Sequence, residues 1–398
     1  MNLTRRQTLI AAAAASLAPT AWAQGAFKWP RNFSVVTPVV GTANHSLAVA
    51  WTSKFQAATG TRVAVLPAPN GFARANWLNT GEGRISMLQA SDYFDQMDAI
   101  QGYGSEASGP SDTRVAFMNM VTPWGFVTRG DTALKSFDDV KAGTRIAIAR
   151  SSSFLVVAVQ ALLAYRGLKE SDVNLVEVGS FGANTAVLAE GRVDLAFTSP
   201  ISGPSYQAEA NPAGLRWLPL PTRDKDPAAY DRYRKLMSGY VPQTTVSGVK
   251  SALQVPMDHA YQCSHVRADD EPEFVYQLIK WLDENHESYK ADFTHAHLMT
   301  VANLVAFLDS RALQPLHDGA IRYLKEKGLW KPAHQARQDK LVALAGRRVA
   351  AFKTAVAEAK KAGLKPVAGD EAWMKFWGEQ RAKAGQATPF GEDVLALG

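Results

Sequence analysis

The chain has 398 residues, of which 46% are hydrophobic, 10% aromatic and 20% charged, enough for two domains with their own cores and incompatible with a disordered or fibrous class. Its single cysteine, Cys263, excludes an internal disulfide and any cysteine-built zinc or iron–sulfur site. A formal charge of +6 leaves nucleic acid and anionic membranes open as partners until that charge is located.

Asn2 to Arg6 carries the charge of a leader, Leu9 to Leu17 is apolar and alanine-rich, and Ala21, Trp22 and Ala23 form a small-x-small cleavage site. Residues 1–23 therefore read as an export signal. Thr4 to Leu9, with Arg5 and Arg6, resembles a twin-arginine signal, although paired arginines also occur in ordinary Sec signals. The apolar stretch is shorter than the roughly 20 residues that a bilayer span needs, and no cysteine near the cleavage site can carry a lipid. The expected location is the periplasm, where Cys263 reads as a buried, inert residue.

Phe33 to Val40 reads as a strand, Leu47 to Ala58 as a helix stopped by Gly60, Thr61 to Leu66 as a strand, Ala73 to Asn79 as a short helix and Arg84 to Leu88 as a strand. Gln101 to Thr113, rich in Gly, Ser and Pro, reads as a loop or crossing point. A second alternation follows: strand Arg145 to Ala149, helix Phe154 to Tyr165, strand Leu175 to Val178, helix Thr185 to Glu190 and strand Val193 to Phe197. Two β–α units separated by crossing segments predict an α/β fold of two lobes with a cleft at the carboxyl ends of the strands. Helical patterns occupy Phe274 to Leu282, Leu298 to Leu308 and Ala320 to Leu324. Beyond Trp330, Leu341, Leu344, Phe352 and Val356 form an apolar stripe among basic residues, and Trp373, Phe376 and Trp377 an aromatic knot. The expected division is lobe I at 24–120 plus 255–330, lobe II at 121–254 and a basic helical extension at 331–398.

Catalytic and cofactor signatures are scarce. There is no His-Glu-x-x-His, Walker loop or Gly-x-Ser-x-Gly elbow, and Gly102, Gly104 and Ala107 follow no strand. His295 and His297 point apart on a helix, and His317 with Asp318 reads as a helix start. No cofactor, metal or catalytic residue is expected. Two strand-to-helix loops are rich in small polar residues: Gly41 to Ser46 and Arg150 to Ser153. Free N–H groups and hydroxyls at such starts suit an anionic group, and Arg150 would add a bidentate clamp on a carboxylate; ordinary N-capping is the competing explanation.

From Phe33 to Trp330 the chain resembles the TAXI-type extracytoplasmic receptors of TRAP (tripartite ATP-independent periplasmic) transporters. The resemblance is carried most specifically by Pro315 to Gly328, then by Ser136 to Gly143, Asn184 to Phe197, and Gln89, Ser91, Asp92 and Tyr93. It implies a type II periplasmic-binding fold with a hinge and a central cleft, a monomer that closes on a small organic carboxylate, and delivery to a TRAP-type permease. Ligand contacts are then expected from Thr42, Asn44, His45, Asn70, Phe72 and Tyr93 on the first lobe and Arg150, Ser152, Ser153, Phe181 and Ser199 on the second, with Trp124 near the crossing. Larger residues stand where the family has glycine-rich loops, at Gly41 to Leu47 and at Pro69 to Phe72, which points to an aromatic or differently shaped carboxylate. An ATP-driven importer, or an enzyme on the same scaffold, is an alternative. The charge also finds its place: the leader arginines contribute +2, and Lys331 to Gly398, with twelve basic and seven acidic residues, contributes +5, so the body is left at −1. A nucleic-acid partner is not expected.

Overall fold

The computed structural model describes residues 27–311 and 313–397; the leader expected at 1–23 lies outside them. The chain packs as two units, Met1–Pro30 and Arg31–Gly398. In the first, Phe27 meets Trp29 edge to face at 4.9 Å. The second carries all the helices and strands of the described residues, none of those helices long and apolar enough to cross a membrane.

The alternation begins with β1 (Asn32–Thr37), α1 (Ala43–Thr59), β2 (Arg62–Pro67), α2 (Gly71–Thr80), β3 (Ile85–Gln89) and α3 (Ala90–Asp98). Strand β1 stops at Thr37 rather than Val40, because Pro38 has no N–H to give a ladder. Helix α2 starts two residues early, since the Asn70 side chain accepts the Ala73 N–H at 2.9 Å. Gly60 and Gly81 end α1 and α2 in the left-handed conformation, at φ 73° and 84°.

Next comes β4 (Thr113–Arg129), a 17-residue strand buried along nearly its whole length. The second alternation is β5 (Arg145–Ile148), α4 (Ser153–Arg166), β6 (Asn174–Glu177), α5 (Phe181–Ala189), β7 (Ala196–Thr198), α6 (Gly203–Glu209), β8 (Leu215–Trp217), α7 (Pro227–Leu236) and β9 (Tyr240–Thr244). Strand β10 (Pro256–Arg267) returns beside β4 and is followed by α8 (Pro272–Glu284), α9 (His286–Tyr289), α10 (Val301–Arg311) and α11 (Asp318–Glu326). The extension is α12 (Pro332–Lys361), α13 (Glu371–Lys383) and α14 (Phe390–Ala396).

The main sheet runs β2-β1-β3-β10-β4-β7, with β8 also on β4 and β9 also on β10; β5 and β6 pair separately. Strands β1, β2 and β3 are parallel, and β10 is antiparallel to both β3 and β4. The two long strands each serve both lobes. The Cys263 end of β10 pairs with β3 while its Met257 end pairs with β9, and β4 leaves β10 to pair with β7 and β8 from Gly125 onward. Two α/β lobes are thus joined through β4 and β10, with a helical extension after them.

The expected helix start at His317 holds: its Nδ1 accepts the Gly319 N–H at 3.2 Å. Cys263 is fully buried and its thiol is pushed up by that burial. His265, also fully buried on β10, accepts from the Gln314 amide at 2.9 Å and lies flat on the Tyr93 ring. Burial lowers its pKa to about 4. The neutral imidazole belongs to the folded state, whereas an unfolded histidine titrates near 6.5. Its contribution to stability is therefore complete above pH 6.5 and is lost as pH falls toward 4. His259 and His317 shift in the same direction, also through burial. Urea unfolding from pH 7.5 to 4.5 should show falling stability, and His265→Gln, which keeps an acceptor for Gln314, should flatten that slope by about 1.4 kcal/mol per pH unit. An unchanged slope would locate the titration elsewhere.

Candidate functional site

A cavity with about 720 Å³ of empty space, mouth included, opens where the strands of both lobes end. Its walls come from eight separate chain segments.

From the first lobe, the turn after β1 delivers Thr42, the N-cap of α1, whose hydroxyl donates to the Val39 carbonyl at 2.8 Å, and Asn44 behind it. The turn after β2 delivers Asn70, Gly71 and, one helical turn on, Arg74. Gly71 has no substitute here, because a Cβ would lie 2.6 Å from an Asp92 carboxylate oxygen. Arg74 is bonded to Asp92 at 2.8 Å, and Asp92 also accepts the Tyr103 hydroxyl at 3.0 Å. The pair is almost wholly buried, and the Arg74 Nε, facing no acceptor, is left over.

The floor is an amide relay on the crossing strands. Asn44 Nδ2 donates to Gln262 Oε1 at 2.7 Å, and Gln262 Nε2 donates to Gln89 Oε1 at 3.2 Å and to Thr122 Oγ1 at 2.9 Å. Thr122 Oγ1 also accepts the Trp124 indole N–H at 2.9 Å. From the second lobe come Ser152, the N-cap of α4, then Phe154, Phe181 at the first position of α5, and Ser199, Ile201 and Ser202 after β7. Trp124 meets Phe154 at 5.0 Å and Phe181 at 5.6 Å edge to face and stacks on Phe197, which makes one wall aromatic.

Seven of the residues expected from the sequence line this cavity: Thr42, Asn44, Asn70, Trp124, Ser152, Phe181 and Ser199. Five do not. Arg150 is turned outward, bonded to Glu170 at 3.0 Å and near Glu177 at 3.6 Å, so it is no clamp on a ligand here. Tyr93 is buried between His265 and Phe390. Phe72 packs over Gly102 and edge-on to Tyr103. His45 bonds Thr37 at 2.9 Å on the far side of the α1 start, its pKa lowered by burial. Ser153 is buried at the start of α4 and is not part of the lining.

Arg74, Gln89, Thr122, Phe154, Ser202 and Gln262 were not expected as contacts. Only Gln89 left a sequence signal, inside the segment that resembles the receptor family.

The electrostatics are balanced. The one guanidinium in the wall is neutralised by Asp92, and what remains positive is the free N–H groups at the starts of α1, α2, α4 and α5. Three buried polar atoms of the lining have no partner: Asn44 Oδ1, Arg74 Nε and Ser199 Oγ. Each costs about 1–3 kcal/mol while unpaired. No histidine lines the cavity, and Ser202 Oγ donates to the Ser199 carbonyl rather than facing a base. Among the described residues no three His, Cys, Asp or Glu gather as a metal site.

Solved structures with some likeness include the alkanesulfonate-binding protein SsuA from Xanthomonas axonopodis pv. citri bound to MOPS (18% identity, 85% of this chain and 96% of that one, TM-score 0.40). Others are the periplasmic binding protein BugD (14%, 85% and 99%, 0.45) and MatC from Rhodopseudomonas palustris with bound malate (13%, 82% and 99%, 0.43). No curated protein sequence matches. A family model does, from residue 42 at the cap of α1 to residue 328 just past α11, which takes in all of the cavity wall but Pro38 and Val39, and on that match the chain belongs to the NMT1-like family.

Proposed function

We propose that this protein is a periplasmic solute receptor that closes two lobes, 24–120 with 255–330 and 121–254, around a small organic carboxylate. The observation that carries the reading is the cavity itself. Helix starts and polar side chains from both sides of the crossing strands meet in one space, with unpartnered donors at Arg74 and Ser199 and no nucleophile–base pair. Such a receptor turns binding energy into closure rather than chemistry. The carboxylate sits among the helix starts and those donors, and an apolar or aromatic body lies on Trp124, Phe154 and Phe181. The resemblance to TAXI-type receptors supports a TRAP-type permease as the partner of a monomer, with an ATP-driven importer as the alternative.

The test titrates matched pairs of an aromatic carboxylate and its primary amide, reading tryptophan fluorescence and melting temperature. The carboxylate should bind about 10–100-fold more tightly, the worth of a hydrogen bond to a charged group. If amide and acid bind alike, or no organic anion raises the melting temperature, the carboxylate reading fails; turnover of the ligand would make the protein an enzyme.

A further inference from the structure

We propose that residues 386–397, the end of the C-terminal extension, are a strap that fastens α7 of the second lobe to α3 of the first and holds the lobes closed. The proposal rests on the reading above that the two lobes move.

On the α3 side the strap is pinned by a buried polar knot. The Phe390 N–H donates to both oxygens of Asp98, at 3.1 and 2.9 Å, and its ring lies edge-on between Tyr93 and Phe94. Arg381 reaches Asp98 at 2.9 Å, and the fully buried Arg348 bonds the carbonyls of Gln386 and Thr388 at 2.7 and 2.5 Å. On the other side the same short segment touches the loop after α7. A Cβ at Gly391 would overlap Ser238 Oγ and lie 2.8 Å from the Phe94 ring, so this one residue sits in van der Waals contact with both lobes. Glu392 pairs with Lys235 of α7 at 3.3 Å.

Beneath the strap, α3, α4 and α7 enclose a second gap of about 1020 Å³, lined by Ser91, Asp95, Phe154, Gln160, Lys235 and Gly391 among others. Phe154 faces this gap and the ligand cavity alike. Any opening that draws α7 away from α3 must break the Gly391–Ser238 contact and the Glu392–Lys235 pair, while Asp98 keeps the strap on α3. The family match ends at residue 328, so the strap is an addition outside it.

Spin labels at Thr80→Cys and Glu190→Cys, both exposed and on different lobes, report the interlobe distance with no ligand present; the native Cys263 is buried. Gly391→Ala forces the overlap with Ser238, and Glu392→Lys sets two cations face to face. Each should raise the open-to-closed ratio about tenfold, the scale of an overpacked contact. The swap Lys235→Glu with Glu392→Lys should return it toward wild type. If Gly391→Ala does not fold, the Glu392–Lys235 pair decides alone. A distance distribution in Glu392→Lys superposable on wild type overturns the strap. If a carboxylate still narrows that distribution, the receptor reading survives; if it moves under neither ligand nor variant, both readings fall.

Discussion

Replacing Asp98 by alanine is expected to remove about 3–5 kcal/mol from the unfolding free energy, the cost of stripping one partner from a buried ion cluster. Asp98 sits at the end of α3, 9% exposed in its side chain, with Arg381 at 2.9 Å, Arg348 at 3.4 Å and the Phe390 N–H on its carboxylate. Burial raises its pKa, against the pull of the two guanidiniums, so the cluster adds little over an apolar filling of the same shape. Breaking it is different. Arg348 has no exposed side-chain surface and would keep only Asp393, at 2.8 Å, as a counter-charge. Asp98→Asn, which still accepts a hydrogen bond from Phe390, should lose less. Urea unfolding measures both, and a loss below about 1 kcal/mol in Asp98→Ala would mean that the extension is not pinned there.

What the sequence discloses and what it hides divide along physical lines. The β–α alternation of each lobe is legible because its helices carry one apolar face and end at Gly60, Gly81 and Gly167, all in the left-handed conformation. The loops before α1 and α4 are legible as cavity-lining helix starts because small polar residues gather there. Strands β4 and β10 escape notice. Buried on both faces over most of their length, they show no period-two pattern, yet they join the lobes and carry the floor of the cavity. Gln262 meets Asn44 across 218 positions, a separation that no local pattern encodes. The extension shows the same split. Its apolar stripe and aromatic knot stand out, but their seat on the 101–113 loop, where Trp373 donates to the Gly104 carbonyl at 2.8 Å and Phe352 covers Gly109, does not.

The choice between two arginines is the sharpest case, and it yields the largest expected effect on binding. Arg150 stands in a cavity-lining loop but answers to Glu170 and Glu177, whereas Arg74, on the less conspicuous helix start, lines the cavity and is held by the buried Asp92. Arg150→Ala should leave the affinity for a carboxylate within about twofold. Arg74→Met should weaken it by 100-fold or more, because truncating one partner of a buried pair costs about 2–5 kcal/mol and leaves the Asp92 charge unpaired behind the cavity wall. Part of that loss would be mere repulsion, and a second substitution separates it. In Arg74→Met with Asp92→Asn the buried charge is gone as well. If Arg74 serves only to neutralise Asp92, affinity should return to near wild type. If its unpartnered Nε holds the carboxylate, about tenfold or more should stay lost. Isothermal titration with one aromatic carboxylate across the four proteins decides between them, and an Arg150→Ala loss as large as that of Arg74→Met would place the anion elsewhere than among the starts of α1, α2 and α4.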